Sequence, residues 1–220
     1  MIYEHKAVIL KNPHESQIYS KFSHLYDKIF TRVFTDRIIN VIRGLKIQPG
    51  SRVLEVGIGT GISMAAYPPH CEVTGIDLAP EMLARARRKA AENGWHHINL
   101  LEMDALNLEF PENSFDYVTS FHVITVVPDP VRMMNEIHRV CKPEGKVVII
   151  NHFQTTLPVI GPIVGGLDPL TRRLGWSASL RLNQVFDRVP MRIEKRFKTS
   201  PLSLFTVVLA ENNKSCQTGR

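Results

Sequence analysis

A short apolar run that leads directly into three alternating glycines constrains the fold of this chain more than any other feature. The run is Val53–Val56, and Gly57, Gly59 and Gly61 follow it. Because glycine has no Cβ, the backbone can turn sharply here and approach a ligand closely. A second apolar run ends at Asp77, whose carboxylate can accept hydrogen bonds from a ribose diol. The pattern predicts a strand and tight turn that bind a nucleoside cofactor.

The spacing of these glycines excludes two common phosphate-binding loops. A dinucleotide fingerprint, G-x-G-x-x-G counted from Gly57, requires glycine where the chain has Ile62, which disfavours an oxidoreductase. No G-x-x-x-x-G-K-[ST] loop occurs either. From Glu55 onward the chain instead reads E-x-G-x-G-x-G, which resembles motif I of the class I S-adenosylmethionine-dependent methyltransferases. A plain strand-to-helix turn and another Rossmann-like use are the alternatives.

Further motifs follow in the order that this family has them. Residues 102–105 resemble its acidic, adenine-binding motif, residues 115–122 resemble its motif II, and residues 139–146 resemble the turn before its fifth strand. Glu144 replaces a usual glycine in that turn. The resemblance covers roughly residues 45–151 and implies S-adenosyl-L-methionine as cofactor, S-adenosyl-L-homocysteine as product, and no metal. The cofactor-binding candidates are Glu55, Gly57, Gly59, Gly61, Asp77, Leu78, Met103, Asp104, Ala105 and Phe121.

Short apolar runs alternate with helical patterns along the middle of the chain. The predicted strands are Val53–Val56, Val73–Ile76, Ile98–Leu101, Tyr117–Phe121 and Val147–Ile150, then Met191–Lys198 and Leu202–Leu209. The predicted helices are 60–66, Pro80–Asn93 and Pro130–Cys141, with a further helix that carries Ile38, Ile39, Ile42 and Leu45. We therefore expect an α/β, Rossmann-like fold with a mostly parallel seven-stranded sheet, helices on both faces and an antiparallel terminal strand pair.

The 220 residues suit one domain with a full core. We expect a single methyltransferase domain over 1–220: an amphipathic helical segment at 1–45, the cofactor-binding core at 46–151, a lid or insertion at 152–190, and terminal strands and tail at 191–220. The apolar runs are too short to cross a bilayer and no secretion signal is evident, which predicts a cytoplasmic protein. The three cysteines have neither disulfide nor zinc spacing.

The net charge of +6 is unevenly distributed along the chain. Residues 1–50 hold eight basic and four acidic residues, and residues 161–200 hold eight and three, whereas residues 51–160 hold nine and thirteen. The basic flanks predict a polyanionic partner, either nucleic acid or an anionic membrane, although ordinary solvated faces would also account for them. Nucleic acid is the less favoured partner because there is no Asn-Pro-Pro-Tyr motif and no aromatic-basic interleaving.

Both flanks combine basic residues with apolar surface. Lys21 and Lys28 accompany an aromatic-rich helical stripe, which suits either an interfacial membrane helix or a helix packed on the core. Arg172, Arg173 and Trp176 follow a Gly/Pro-rich apolar insertion, where arginine suits phosphate and tryptophan suits a membrane interface. A lid loop with a solvated basic face is the alternative. These five residues are the candidates for membrane contact.

With these flanks in view, the whole chain resembles the soluble bacterial phosphatidylethanolamine N-methyltransferases, which are related to the ubiquinone and menaquinone C-methyltransferases. The resemblance implies three successive methylations of phosphatidylethanolamine to phosphatidylcholine, and peripheral attachment to the inner face of the cytoplasmic membrane. C-methylation of a quinone precursor, methylation of another small molecule and a catalytically silent, cofactor-binding membrane protein are the alternatives. The oligomeric state stays open.

The expected chemistry requires a base if the acceptor is an amine. Methyl transfer is an in-line displacement, so the enzyme mainly aligns the donor with the nucleophile. An ammonium has no lone pair and must first lose a proton. His122 follows the fourth predicted strand and is the candidate base, while Tyr19 and Tyr26 on the leading helix could complete the acceptor pocket. A packing role is the alternative for all three residues.

Overall fold

The computed structural model describes residues 35–151, 153, 180–199, 203 and 205–214. Several predictions lie outside these described residues, namely those on the leading segment, on the insertion and on the tail. They include the roles of Tyr19, Lys21, Tyr26, Lys28, Arg172, Arg173 and Trp176.

The described residues form the α/β sheet that the sequence predicts. Its strands are β1 Arg52–Val56, β2 Glu72–Asp77, β3 Ile98–Glu102, β4 Phe115–Phe121, β5 Cys141–Asn151, β6 Met191–Phe197 and β7 Thr206–Asn212. They lie in the order β3-β2-β1-β4-β5-β7-β6. The first five are parallel, and β7 runs antiparallel to both β5 and β6. The predicted fold class, with its antiparallel terminal pair, is confirmed.

Apolar clusters cover both faces of this sheet. The helices are α1 at 35–44, α2 Pro80–Glu92, α3 Pro130–Val140 and α4 Leu182–Phe186. Leu54 of β1 belongs to the cluster that includes α3 and α4, whereas its neighbour Val53 belongs to the cluster that includes Ile38 and Ile42 of α1. Because side chains alternate across a strand, a strand buried on both faces reads as the near-continuous apolar run seen in the sequence.

Helix α2 begins and ends at residues suited to those positions. Pro80 occupies its first turn with Glu81, Lys89 lies in its last turn, and Gly94 follows with a φ of +65°. Proline lacks an N–H that this turn would leave unpaired, and the charges complement the helix dipole. No helix in the described ranges is both long enough and apolar enough to cross a bilayer.

Three predicted boundaries are wrong. The helix expected at 60–66 is only a 3-10 turn at Met64–Ala66, because Gly61 has a φ of +74° and Tyr67 is extended before Pro68. Strand β5 begins at Cys141 rather than Val147, since the expected turn lies within the strand as an irregularity in the pairing with β4. Strand β7 covers Thr206–Asn212, so it begins later than the expected Leu202–Leu209.

Candidate cofactor and acceptor site

The predicted site residues follow the carboxyl ends of four neighbouring parallel strands. The glycine loop follows β1, Asp77 ends β2, Met103 follows β3, and His122 follows β4. The register pairs Val56 of β1 with Ile76 of β2 and with Ser120 of β4, and Asp77 with Glu102 of β3. The fold therefore brings the predicted cofactor and acceptor residues to one edge of the sheet, where such sheets bind ligands.

The three glycines of the loop all adopt left-handed backbone conformations, but for different steric reasons. Their φ angles are +77° at Gly57, +55° at Gly59 and +74° at Gly61. A Cβ on Gly57 would overlap Val123, and one on Gly61 would overlap Met64. A Cβ on Gly59 would meet no atom within 4 Å, so it would enter open space above the loop. The residues present fit a cofactor that lies directly on the Gly59 backbone.

Asp77 ties the glycine loop to the segment after β2. Its Oδ2 accepts a hydrogen bond from the Gly59 N–H at 2.8 Å, and its Oδ1 accepts one from the Ala79 N–H at 2.9 Å. A carboxylate oxygen has a second lone pair, so both oxygens keep the capacity to accept from a ribose diol. Leu78 is 49% exposed beside it, which suits apolar contact with a purine.

The candidates after β3 form a compact turn next to Asp77. The Met103 N–H donates to the Asp77 carbonyl at 3.1 Å, and Asp104 Oδ1 accepts from the Leu106 N–H at 2.8 Å. Met103 and Ala105 are half-buried against the apolar core. Phe121 differs from these candidates because its side chain, 6% exposed, packs in the cluster that contains Ile42. Packing therefore accounts for the Phe121 side chain.

Glu55 lies beneath the loop in a buried hydrogen-bond network. Its carboxylate accepts from Ser63 Oγ at 2.7 Å and from the Tyr67 hydroxyl at 2.7 Å, and that hydroxyl also bonds Thr119 Oγ1 at 2.8 Å. Burial raises the pKa of Glu55 to about 7, although the bonds from Tyr67 and Ser63 pull the pKa down. These contacts fix the turn that follows Gly61. Sequence reasoning missed Ser63 and Tyr67, which belong to no recognisable motif.

His122 lies at the carboxyl end of β4 in a left-handed conformation, with a φ of +64°. Its backbone N–H donates to the Ile150 carbonyl at 2.8 Å, and its ring contacts the Phe205 ring edge to face, with the ring centroids 4.6 Å apart. The guanidinium of Arg37 lies 5.2 Å from the Phe205 centroid, and Arg37 Nε donates to Thr199 Oγ1 at 2.6 Å.

The surroundings of His122 set its protonation state. Burial first, and then the charge of Arg37, lower the pKa of His122 to about 4. The imidazole is therefore neutral at pH 7. Sequence reasoning missed Arg37 and Phe205, because α1 and the start of β7 meet here only in the folded chain. Among the described residues, no group of three or more His, Cys, Asp and Glu side chains could hold a metal ion.

Known proteins that this chain resembles in sequence are methyltransferases. A family model described as a methyltransferase domain matches residues 54–149. A phosphatidylethanolamine N-methyltransferase of Cereibacter sphaeroides is 40% identical over 158 residues, which are 71% of this chain and 78% of that protein. A demethylmenaquinone methyltransferase of Anoxybacillus flavithermus (strain DSM 21510 / WK1) is 34% identical over 149 residues, 64% of this chain and 63% of that protein, so the match spans just under two thirds of it.

Solved structures show the same fold at lower identity. A SAM-dependent methyltransferase from Aquifex aeolicus superposes with a TM-score of 0.67 at 18% identity, covering 87% of this chain and 97% of that chain. A possible histamine N-methyltransferase from Thermotoga maritima superposes with a TM-score of 0.65 at 19% identity, covering 89% of this chain and 99% of that chain. At these identities the structures support the fold and not the acceptor.

Proposed function

The chain belongs to the class I S-adenosylmethionine-dependent methyltransferases, and we propose that it methylates the amine of phosphatidylethanolamine three times in succession at an anionic membrane surface. The observation that carries this acceptor is the 40% identity to a phosphatidylethanolamine N-methyltransferase over 78% of that protein. The identity of 34% to a demethylmenaquinone methyltransferase supports C-methylation of a quinone precursor as the second candidate.

The cofactor would lie across the carboxyl ends of β1, β2 and β3. Gly59 would let it contact the backbone, Asp77 would accept from the ribose, and Leu78 and Met103 would flank the purine, with Asp104 accepting from its amino group. When bound, S-adenosyl-L-methionine supplies a methyl group on a positively charged sulfur. The protein contributes alignment and a fixed, partly dry environment.

His122 is the base that the proposal assigns to the acceptor. Its neutral imidazole takes a proton from the headgroup ammonium, which frees the nitrogen lone pair. The nitrogen would then be free to form a bond to the methyl carbon, and the electron pair of the broken carbon–sulfur bond would stay on sulfur in S-adenosyl-L-homocysteine. Tyr26 and Tyr19 keep their proposed roles in the acceptor pocket.

An exposed basic edge supports action at a membrane. Strand β6 is one of the two edge strands of the sheet, and it carries Lys195, Arg196 and the 43% exposed Phe197, followed by Lys198. Within the described part of the chain these three cations make no hydrogen bond or ion pair, unlike Arg192, which pairs with Glu211 at 2.6 Å. A basic residue near an anionic surface contributes about 1 kcal/mol.

The position of this edge matches the position of the acceptor site. Phe197 pairs with Val207 of β7, and the adjacent Thr206 pairs with Asn151 at the end of β5. The preceding residue of β5, Ile150, accepts the backbone bond from His122. The basic residues of β6 therefore lie near the same ends of the strands as His122. A protein that takes its acceptor from the membrane requires this arrangement.

Vesicles of phosphatidylethanolamine and phosphatidylglycerol that also carry demethylmenaquinone, incubated with methyl-labelled S-adenosylmethionine, test the proposal. We expect mono-, di- and trimethylated lipid, whereas label in demethylmenaquinone with none in lipid would exclude the phospholipid acceptor.

A second experiment tests the basic edge. Lys195→Glu/Arg196→Glu should weaken the affinity for these vesicles, measured by co-sedimentation, by roughly 30-fold or more. The matched pair Arg88→Glu/Lys89→Glu changes the same charges on α2, beside the opposite edge strand, and should bind like wild type. Equal loss in both pairs would argue against a specific edge.

A further inference from the structure

A cationic side chain lies within the interaction range of the proposed base. Arg37 of α1 lies over the ring of Phe205, and Phe205 packs against His122. Thr199, just after β6, accepts the bond from Arg37 Nε and so orients the guanidinium plane. Three separate parts of the chain thus meet to hold one cation at the carboxyl edge of the sheet.

We propose that Arg37 is an anion-binding residue that holds the phosphate of the acceptor while the amine of the same headgroup faces His122. The inference rests on the proposed function for the identity of the acceptor. A guanidinium presents a planar fork of N–H groups that suits phosphate oxygens, and it is always charged. Two carbons separate the amine from the phosphate in an ethanolamine headgroup. Binding the phosphate at Arg37 therefore also positions the amine.

A bound phosphate has a second consequence for His122. Before it binds, the charge of Arg37 disfavours the protonated imidazole and adds to the effect of burial. An anion held at the guanidinium offsets that charge, so the imidazole accepts a proton more readily. The base is thus strengthened at the moment when the amine to be deprotonated arrives. A phosphate-free quinone precursor would not produce this change.

The test uses the full chain saturated with S-adenosylhomocysteine and two soluble probes, glycerophosphoethanolamine and ethanolamine. Each probe is titrated while the NMR shift of the His122 ring is followed. We expect wild type to bind glycerophosphoethanolamine about 10- to 100-fold more tightly than ethanolamine, as for a hydrogen bond to a charged group. Arg37→Gln should abolish this difference, and Arg37→Lys should keep part of it because the charge remains. Inorganic phosphate, titrated alone, should bind more weakly than glycerophosphoethanolamine.

The pKa of His122 provides a readout that a merely structural role would not change. Glycerophosphoethanolamine should raise this pKa in wild type, and Arg37→Gln should raise it without any probe. Equal binding of both probes to wild type, or an unchanged headgroup affinity in Arg37→Gln, would overturn the inference. Tighter binding of inorganic phosphate would assign the site to free phosphate instead. Unaltered affinity for S-adenosylhomocysteine in the variants verifies the fold.

The two proposals can fail separately. If the vesicles yield methylated lipid and Arg37→Gln leaves the KM for the lipid unchanged, Arg37 is not the phosphate residue and the lipid acceptor stands. If the vesicles yield only a labelled quinone while phosphate binding still depends on Arg37, the anion site stands without a lipid acceptor.

Discussion

Substituting Gly59 by alanine tests whether the glycine loop holds the cofactor. Gly59 has a φ of +55°, and its added Cβ would meet no protein atom within 4 Å. Gly50 offers a matched control, because its φ is +75° and its added Cβ also meets nothing within 4 Å. Gly50 precedes β1 at the opposite end of the strand, whereas Gly59 follows it. The two variants therefore share the backbone strain and differ in position.

The expected magnitudes separate folding from binding. A left-handed alanine costs about 1–2 kcal/mol, and the loss of chain freedom in the unfolded state returns roughly 0.4–1 kcal/mol. Both variants should therefore lose about 1 kcal/mol of unfolding free energy. Only the methyl group at residue 59 would overlap a cofactor lying on the loop. Overpacking of about 1–3 kcal/mol corresponds to roughly 5- to 150-fold weaker binding.

Urea denaturation measures the stability of both variants, and calorimetric titration with S-adenosylhomocysteine measures the affinity. Gly57→Ala extends the series, since its Cβ would overlap Val123 and should lower stability beyond the strain alone. If Gly59→Ala binds the nucleoside as tightly as Gly50→Ala does, the open space above Gly59 does not hold the cofactor. The placement of the cofactor across the strand ends would then be refuted.

Two further predictions concern the buried ionisable side chains. Glu55→Gln should gain about 3 kcal/mol of unfolding free energy relative to wild type as the pH rises from 4.5 to about 7, because native Glu55 keeps a proton that the unfolded chain has released. Urea denaturation at a series of pH values measures this gain, and a stability difference between variant and wild type that does not change with pH would contradict it. His122→Asn keeps a residue that tolerates left-handed backbone, so kcat should fall about 10²- to 10⁴-fold with unchanged S-adenosylhomocysteine affinity; equal losses in both would show a structural role only.

The parts of this protein that could be predicted from the sequence are those determined by neighbouring residues. The run Val53–Val56 and the alternating glycines specify a buried strand and a tight turn within a dozen residues. The prediction of a helix at 60–66 is wrong because the same glycines and the following Pro68 disfavour a full helical turn. Strand alternation directs the Phe121 side chain into the apolar cluster that contains Ile42, so its contact with a cofactor stays a prediction.

The surroundings of His122, the proposed base, could not be predicted, because they depend on chain segments far apart in sequence. Arg37, Thr199 and Phe205 come from α1 and from the segments that border β6 and β7. No local pattern relates a helical arginine to residues more than a hundred positions away. The glycine loop proposed to bind the cofactor is recognisable in one stretch of sequence, whereas the proposed acceptor site is assembled by the sheet.

The two buried ionisable groups also affect stability in opposite directions. Glu55 has a native pKa raised from 4.5 to about 7, so its contribution falls as the pH rises through that interval. His122 has a native pKa lowered from 6.5 to about 4, so its contribution is fully present above pH 6.5 and is lost as the pH falls toward 4. Between pH 4.5 and 6.5 the two slopes nearly cancel. The titrations of Glu55 and His122 therefore mask each other in the wild type, and only the single variants separate them.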